Sequence, residues 1–266
     1  MNILRFELKR SFGSPWFLMV ILIGIVYSIL HFVFRIYPYL PTNSAMPLSA
    51  FNAWFPMRPN EYFSVSLYLL MPILAAMPYA DSYYTDLDDH YMRLVTTRVS
   101  KGRYLLAKTA AVFLTGSTSF TFIIVLNFIV VSSFLPLVFP QFTDGTYTVG
   151  ANSMWGELFY ESPFRYIVLY TILNFMFAGL FAVFSLAVSA WATHRFMALL
   201  APFVLNLFIL FLCDWTEKLY AAPFYFLPPG QAAMFVNIKV IAAVFAGVAV
   251  VSGMMLYAGA YRREAT

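Results

Sequence analysis

The sequence is built from uninterrupted apolar blocks, most of them close to 20 residues long, set between short polar or aromatic-rich connections. A block of that length is what an α-helix needs to cross about 30 Å of hydrocarbon. Strands of an outer-membrane barrel would alternate in short segments instead. Only 11% of the residues are charged and 62% are apolar, against about 25% charged in an ordinary soluble domain. Such a chain has too little polar surface for a water-soluble globule. The same composition excludes disordered, collagen-like, coiled-coil and disulfide-stapled classes. The pattern predicts an all-α polytopic membrane protein.

Six transmembrane helices are read within one domain covering residues 1–266, at about 16–34, 62–80, 105–135, 166–192, 196–213 and 240–261. The third block runs 31 residues, or about 46 Å at 1.5 Å per residue, so its Lys108 end is expected to project beyond the membrane. Thr193, His194 and Arg195 alone join the fourth and fifth, which predicts a tight helical hairpin. Pro72, Pro78 and Pro202 fall inside spans and predict kinks. The single Cys213 permits no intrachain disulfide. The first block opens on Arg5, Lys9 and Arg10 as a signal peptide would. Its apolar run is too long, however, and Arg35-Ile36-Tyr37-Pro38 offers no small-residue cleavage site. It is expected to stay as a span.

Lysines and arginines orient the spans. Arg5, Lys9, Arg10, Arg93, Arg98, Lys101, Arg103, Lys108, Arg195, Arg262 and Arg263 fall on one side, 11 of the 16. Arg35, Arg58, Arg165, Lys218 and Lys239 fall on the other. Both termini are therefore expected in the cytoplasm. No basic cluster exceeds three residues, so the net charge of +4 orients the chain and does not mark a nucleic-acid binder. The loops at about 35–61, 136–165 and 214–239 are rich in Trp, Tyr, Phe and Pro. They are expected to lie as compact caps on the outer membrane surface.

Within the six spans there is no Asp or Glu, although ion-coupled transporters generally hold an ionisable group at mid-membrane. His31 lies well within an apolar run, two turns from its outer end, and is expected to be a hydrogen-bonded interfacial histidine. No H-E-x-x-H, G-x-S-x-G or phosphate-loop sequence occurs, so no ATP hydrolysis by that route and no cofactor are expected in this chain. The stretch Thr115 to Thr121, with Asn127 and Asn174, could line a pore but is read as polar glue between helices. Small residues four apart, Ala243 with Gly247 and Ala249 with Gly253, would let helix backbones approach closely.

Two segments outside the spans have helical periodicity. In the loop Asp81 to Lys108, Leu87, Tyr91, Leu94 and Val95 fall at i, i+4, i+7 and i+8, one face of a short helix over 86–97. Asp86 is placed to cap it, and Asp88 and Asp89 suit its first turn. Arg93 and Arg98 follow toward its end. This helix has its own apolar face and projects from the bilayer, so it is expected to dock against a partner. At the N-terminus, Leu4, Leu8 and Phe12 line one side of a helix, with Arg5 and Lys9 flanking them and Gly13-Ser14-Pro15 breaking it. This reads as an interfacial helix over 1–15, lying in the membrane plane.

An in-plane N-terminal helix, six spans and a cytoplasmic helix after the second resemble the membrane subunits of type-2 ATP-binding-cassette (ABC) exporters. The run Thr97-Arg98-Val99-Ser100-Lys101-Gly102-Arg103-Tyr104-Leu105-Leu106-Ala107-Lys108 is similar to the family's basic/Ser pair followed by leucine and lysine opening span 3. The hairpin Leu186-Ala187-Val188-Ser189-Ala190 to Pro202-Phe203 resembles its spans 4 and 5. Pro223, Pro228 and Pro229 fall where the family places short re-entrant helices. The Asp-rich start of the cytoplasmic loop departs from the family, many members of which carry a Glu and a Gly-Thr pair there.

The resemblance implies a permease in the plasma membrane of a bacterium, paired with a second, identical or sister permease. It implies coupling to separate ABC ATPase subunits that carry the ATP and Mg. Segment 86–97, with Asp86, Leu87, Tyr91, Arg93, Leu94, Val95 and Arg98, would be the coupling helix. Leu4, Arg5, Leu8, Lys9 and Phe12 would pack beside it. The aromatic-rich spans, free of carboxylates, suit an amphipathic peptide, a lipid or a hydrophobic drug as cargo. An ATP-independent carrier or channel, and a structural membrane subunit, remain as other readings of the same composition.

Overall fold

The computed structural model describes residues 3–40, 49–89, 91, 95, 97, 99–141, 149–150 and 153–262. Among them there are helices and connections but no strands. In chain order we label α1 (Ile3–Phe12), α2 (Pro15–His31), α3 (Ala50–Ala53), α4 (Tyr62–Ala76), α5 (Ser82–Asp88) and α6 (Lys101–Phe134). The second half holds α7 (Gly156–Glu161), α8 (Pro163–Ser189), α9 (Arg195–Trp215), α10 (Pro223–Phe226) and α11 (Ile238–Arg262). Five segments are long and apolar enough to cross a membrane, namely Pro15–Tyr39, Lys101–Phe134, Pro163–Ser189, Arg195–Trp215 and Ile238–Ala260. This is a multi-pass helical membrane protein.

Local chemistry sets the boundaries. Ser14 caps α2, its hydroxyl accepting from the Trp16 amide at 3.3 Å, with Pro15 in the first turn. Proline also opens α8. Pro72 and Pro202 are tolerated inside α4 and α9. Pro78 acts differently from the kink expected of it: α4 ends at Ala76 and the chain turns through Met77–Asp81. With no N–H, Pro78 cannot continue the ladder. The 15 residues of α4 reach about 22 Å, less than a full hydrocarbon crossing, which is why five helices and not six have spanning length. The first span is also not a plain helix. After His31 it loosens into a π-helical turn over Phe32–Ile36 and then tightens over Tyr37–Tyr39.

At the centre of the bundle stand α6 and α8. In their most apolar stretches 50% and 56% of residues are buried, against 22%, 22% and 17% for the first span, α9 and α11. The central pair approach closely because small residues line their seam. A Cβ on Gly116 of α6 would lie 2.5 Å from Ala182 Cβ on α8 and 2.6 Å from the Ala75 carbonyl oxygen on α4. By contrast, Gly247 and Gly253 of α11 face open space, with nothing within 4 Å of an added Cβ. The close packing that their spacing allows is not used among the described residues.

The chain ends of α2, α4, α6, α8, α9 and α11 alternate between two ends of the bundle, here the foot (Pro15, Ala76, Lys101, Ser189, Arg195 and Arg262) and the cap. The connections at the cap do not lie flat. Phe51, Trp54, Phe55, Phe226 and Leu227 are all buried in the main core. Trp54 Nε1 donates to the Ile124 carbonyl at 2.9 Å, ten residues or about 15 Å inside the end of α6. Asn174, in the middle of α8, donates to the Leu227 carbonyl at 3.1 Å. The described parts of the 35–61 and 214–239 loops, expected on the membrane surface, are therefore wedged between the helices. Burying five large apolar side chains, each worth about 1.5–3 kcal/mol, drives the insertion.

A buried charge cluster at the foot as candidate functional site

α1 lies along the foot of α6. Its inward face holds Glu7 and Ser11, one turn apart and fully buried, while Arg5, Lys9 and Phe12 are exposed and Leu4 and Leu8 are half-buried. The expected apolar stripe is thus not the face that meets the protein. Ser11 accepts a hydrogen bond from Thr115 of α6 at 2.7 Å, one of the polar contacts that join helices here.

Glu7 belongs to a cluster drawn from four elements. Tyr79, in the turn after α4, donates to Glu7 Oε2 at 2.7 Å. Asp86 of α5 accepts from Arg10 Nη1 of α1 at 2.6 Å, and from Tyr104 and Lys108 of α6. Lys108 also donates to Tyr104 at 3.0 Å and lies 3.9 Å from Glu7 Oε2. Glu7, Asp86, Tyr104 and Lys108 are all 0% exposed. Arg10 sits over the rings of Tyr79 and Tyr91, at 5.8 and 5.2 Å. Tyr104 and Lys108 share one face of α6, four residues apart.

Two carboxylates against two cations make the cluster neutral, which is the condition for burying charge so completely. Burial by itself would lower the Arg10 guanidinium, but the Asp86 carboxylate outweighs that, aided by Tyr79, and Arg10 stays above its ordinary value. Lys108, expected to project into solvent, is buried because two carboxylates meet it.

Further bonds tie the rest of the foot together. Arg195, at the start of α9, pairs with Asp81 at 2.9 Å and stacks over Trp16. Lys101 Nζ donates to the Ala260 carbonyl at 2.5 Å, and Trp191 Nε1 to the Met255 carbonyl at 2.9 Å. Direct polar contacts therefore join α5 to α1 and α6, and Asp81 just before it to the start of α9.

The expected coupling residues divide into three groups. Asp86, expected as a helix cap facing outward, lies inside α5 and is enclosed by its own chain. Leu87 and Val95 pack against the foot core around Tyr83 and Tyr104, and Tyr91 meets Arg10. Arg93, Leu94 and Arg98 lie outside the described residues. Asp88 and Asp89 are exposed. α5 runs from Ser82 to Asp88 and so overlaps the expected 86–97 helix only over 86–88. Sequence reasoning missed Arg10, Tyr104 and Lys108 as partners of Asp86, and Glu7 with Tyr79 as members of the same cluster. The one available signal was a glutamate between arginine and lysine in an otherwise apolar N-terminal helix. No family model matches the chain, and no curated protein matches it.

Proposed function

We propose that the chain is the permease subunit of an ATP-driven ABC exporter, with α4 and its following turn as a sixth crossing. In this reading both termini are cytoplasmic, α1 lies in the membrane plane, and the segment from Asp86 to Thr97 meets a separate ATPase subunit. A second permease completes the substrate path, and ATP and Mg belong to the partner. What supports it most is the foot cluster: Arg10, Tyr79, Asp86, Tyr104 and Lys108 join the loop after α4 to the base of a central helix by buried charge. A force applied to such a loop reaches α6 directly. The outward face of α1 exposes Phe6 and Phe12, as an in-plane helix requires. Cargo of apolar or amphipathic character is supported by a groove of about 770 Å³ between α8 and α9, lined by Phe184, Val188, Phe196, Leu200, Val204 and Phe208.

The test is Leu94→Asp, on the apolar face read from the spacing. The variant is expected to fold and to lose co-purification of an ATPase and transport together. A stable variant that still binds and activates the ATPase would overturn the reading. So would an ion gradient driving transport by the purified chain alone.

A further inference from the structure

At the cap end a second group of charges differs from the foot cluster in one respect: its charges do not cancel. A cavity of about 140 Å³ is lined by His31, Arg35, Tyr39, Ala53, Arg58 and Glu61, room for several water-sized groups. Arg35 pairs with Glu61, through Nε and Oε1. Arg58 makes one hydrogen bond among the described residues, from Nε to the Asn52 carbonyl at 3.1 Å, and its terminal amino groups are left for another acceptor. Two arginines against one glutamate leave one positive charge in the lining. Burial, and then the neighbouring Arg35, draw the Arg58 guanidinium below its ordinary value, the mark of a cation lacking its counter-ion.

The histidine adds a donor. His31 is 1% exposed, and its Nδ1 takes the Asn127 amide at 3.1 Å. With Nδ1 accepting, Nε2 carries the proton in the neutral ring. Edge-on packing by Phe55 and Phe63 holds the ring in place. One acceptor is also unmatched: Glu61 Oε2 is buried and has no hydrogen-bond partner among the described residues. Donors from two arginines and a histidine, beside one acceptor, suit a tetrahedral oxyanion that carries or adjoins a hydroxyl. We propose that this pocket binds a phosphate group, carried either by a lipid headgroup or by inorganic phosphate. Phe34 and Tyr37 are highly exposed beside the pocket at the end of a membrane-length segment, where aromatic side chains meet the headgroup layer. The site rests on this geometry and holds whether or not the chain works with an ATPase.

Thermal unfolding of the purified full chain in an uncharged detergent tests the site, with phosphatidylglycerol, diacylglycerol of the same acyl chains, and inorganic phosphate as probes. Saturable stabilisation by phosphatidylglycerol and not by diacylglycerol is expected, with at least tenfold weaker apparent affinity in Arg58→Gln. A response to inorganic phosphate as well would assign binding to the phosphate group itself; a response to phosphatidylglycerol alone would assign it to the lipid headgroup. Ala53→Leu, which fills the cavity with every charge in place, is expected to remove the response. Equal stabilisation by diacylglycerol, no saturable response to either phosphate compound, or unchanged affinity in both variants would overturn the proposal.

Discussion

Asp86 receives bonds from Arg10, Tyr104 and Lys108, so three donors on two other helices depend on one carboxylate. Removing it leaves Lys108 buried with Glu7, at 3.9 Å, as its one carboxylate among the described residues. Breaking a buried ion pair from one side costs about 3–5 kcal/mol. Asp86→Ala is expected to lose stability of that size in equilibrium unfolding in mixed micelles, and Asp86→Asn less, since the amide still accepts a hydrogen bond. A loss below about 1 kcal/mol in Asp86→Ala, the level of an exposed pair, would mean that water reaches the cluster. The sequence shows Asp86 as an acidic residue near an apolar face, which helix capping explains well enough. Its actual partners stand 76, 18 and 22 residues away, beyond any local spacing rule. His31 was easier to place: a lone histidine in an apolar run needs a polar partner, and Asn127 supplies it.

Small residues separate helices that carry the core from helices that border it. Gly116 sits where α4, α6 and α8 meet, with Ala75 and Ala182 against it. Gly116→Leu is expected to destabilise the purified chain by at least about 1–3 kcal/mol, the range of overpacked cores. Gly247→Leu is expected to stay within about 0.5 kcal/mol, as substitutions on open surface do. The two melting curves, compared in one detergent, check both. Spacing shows that a helix can be approached closely, not which of its faces is approached, so Ala243 and Gly247 read as a packing motif and yet face outward. Five of the six expected spans and their rough limits were legible because length and hydropathy are local properties. Pro78 was read as a kink and acts as a stop, since whether a proline bends or ends a helix depends on what the chain packs against next.

Over the whole molecule, the charge asymmetry makes a claim about sidedness. With Cys213 replaced by Ala, Asp89→Cys at the foot and Lys218→Cys at the cap, both at exposed positions, are expected to react from opposite sides of the membrane. Labelling of both from the same side would overturn the orientation. The helical membrane class was plain from composition alone, whereas the depth reached by the cap segments was not. Their aromatic residues suit a membrane surface as well as a protein interior, and only tertiary packing separates the two. The foot cluster also imposes an order on the chain's making. Glu7 and Arg10 leave the ribosome early, but Asp86, which pairs with Arg10, and Lys108, which meets Glu7, are made 76 and about a hundred residues later. Until then these two charges have nowhere dry to go, and α1 must wait in water or among headgroups. Only arrival of the base of α6 lets it dock, so a nascent chain halted before that point cannot build the foot.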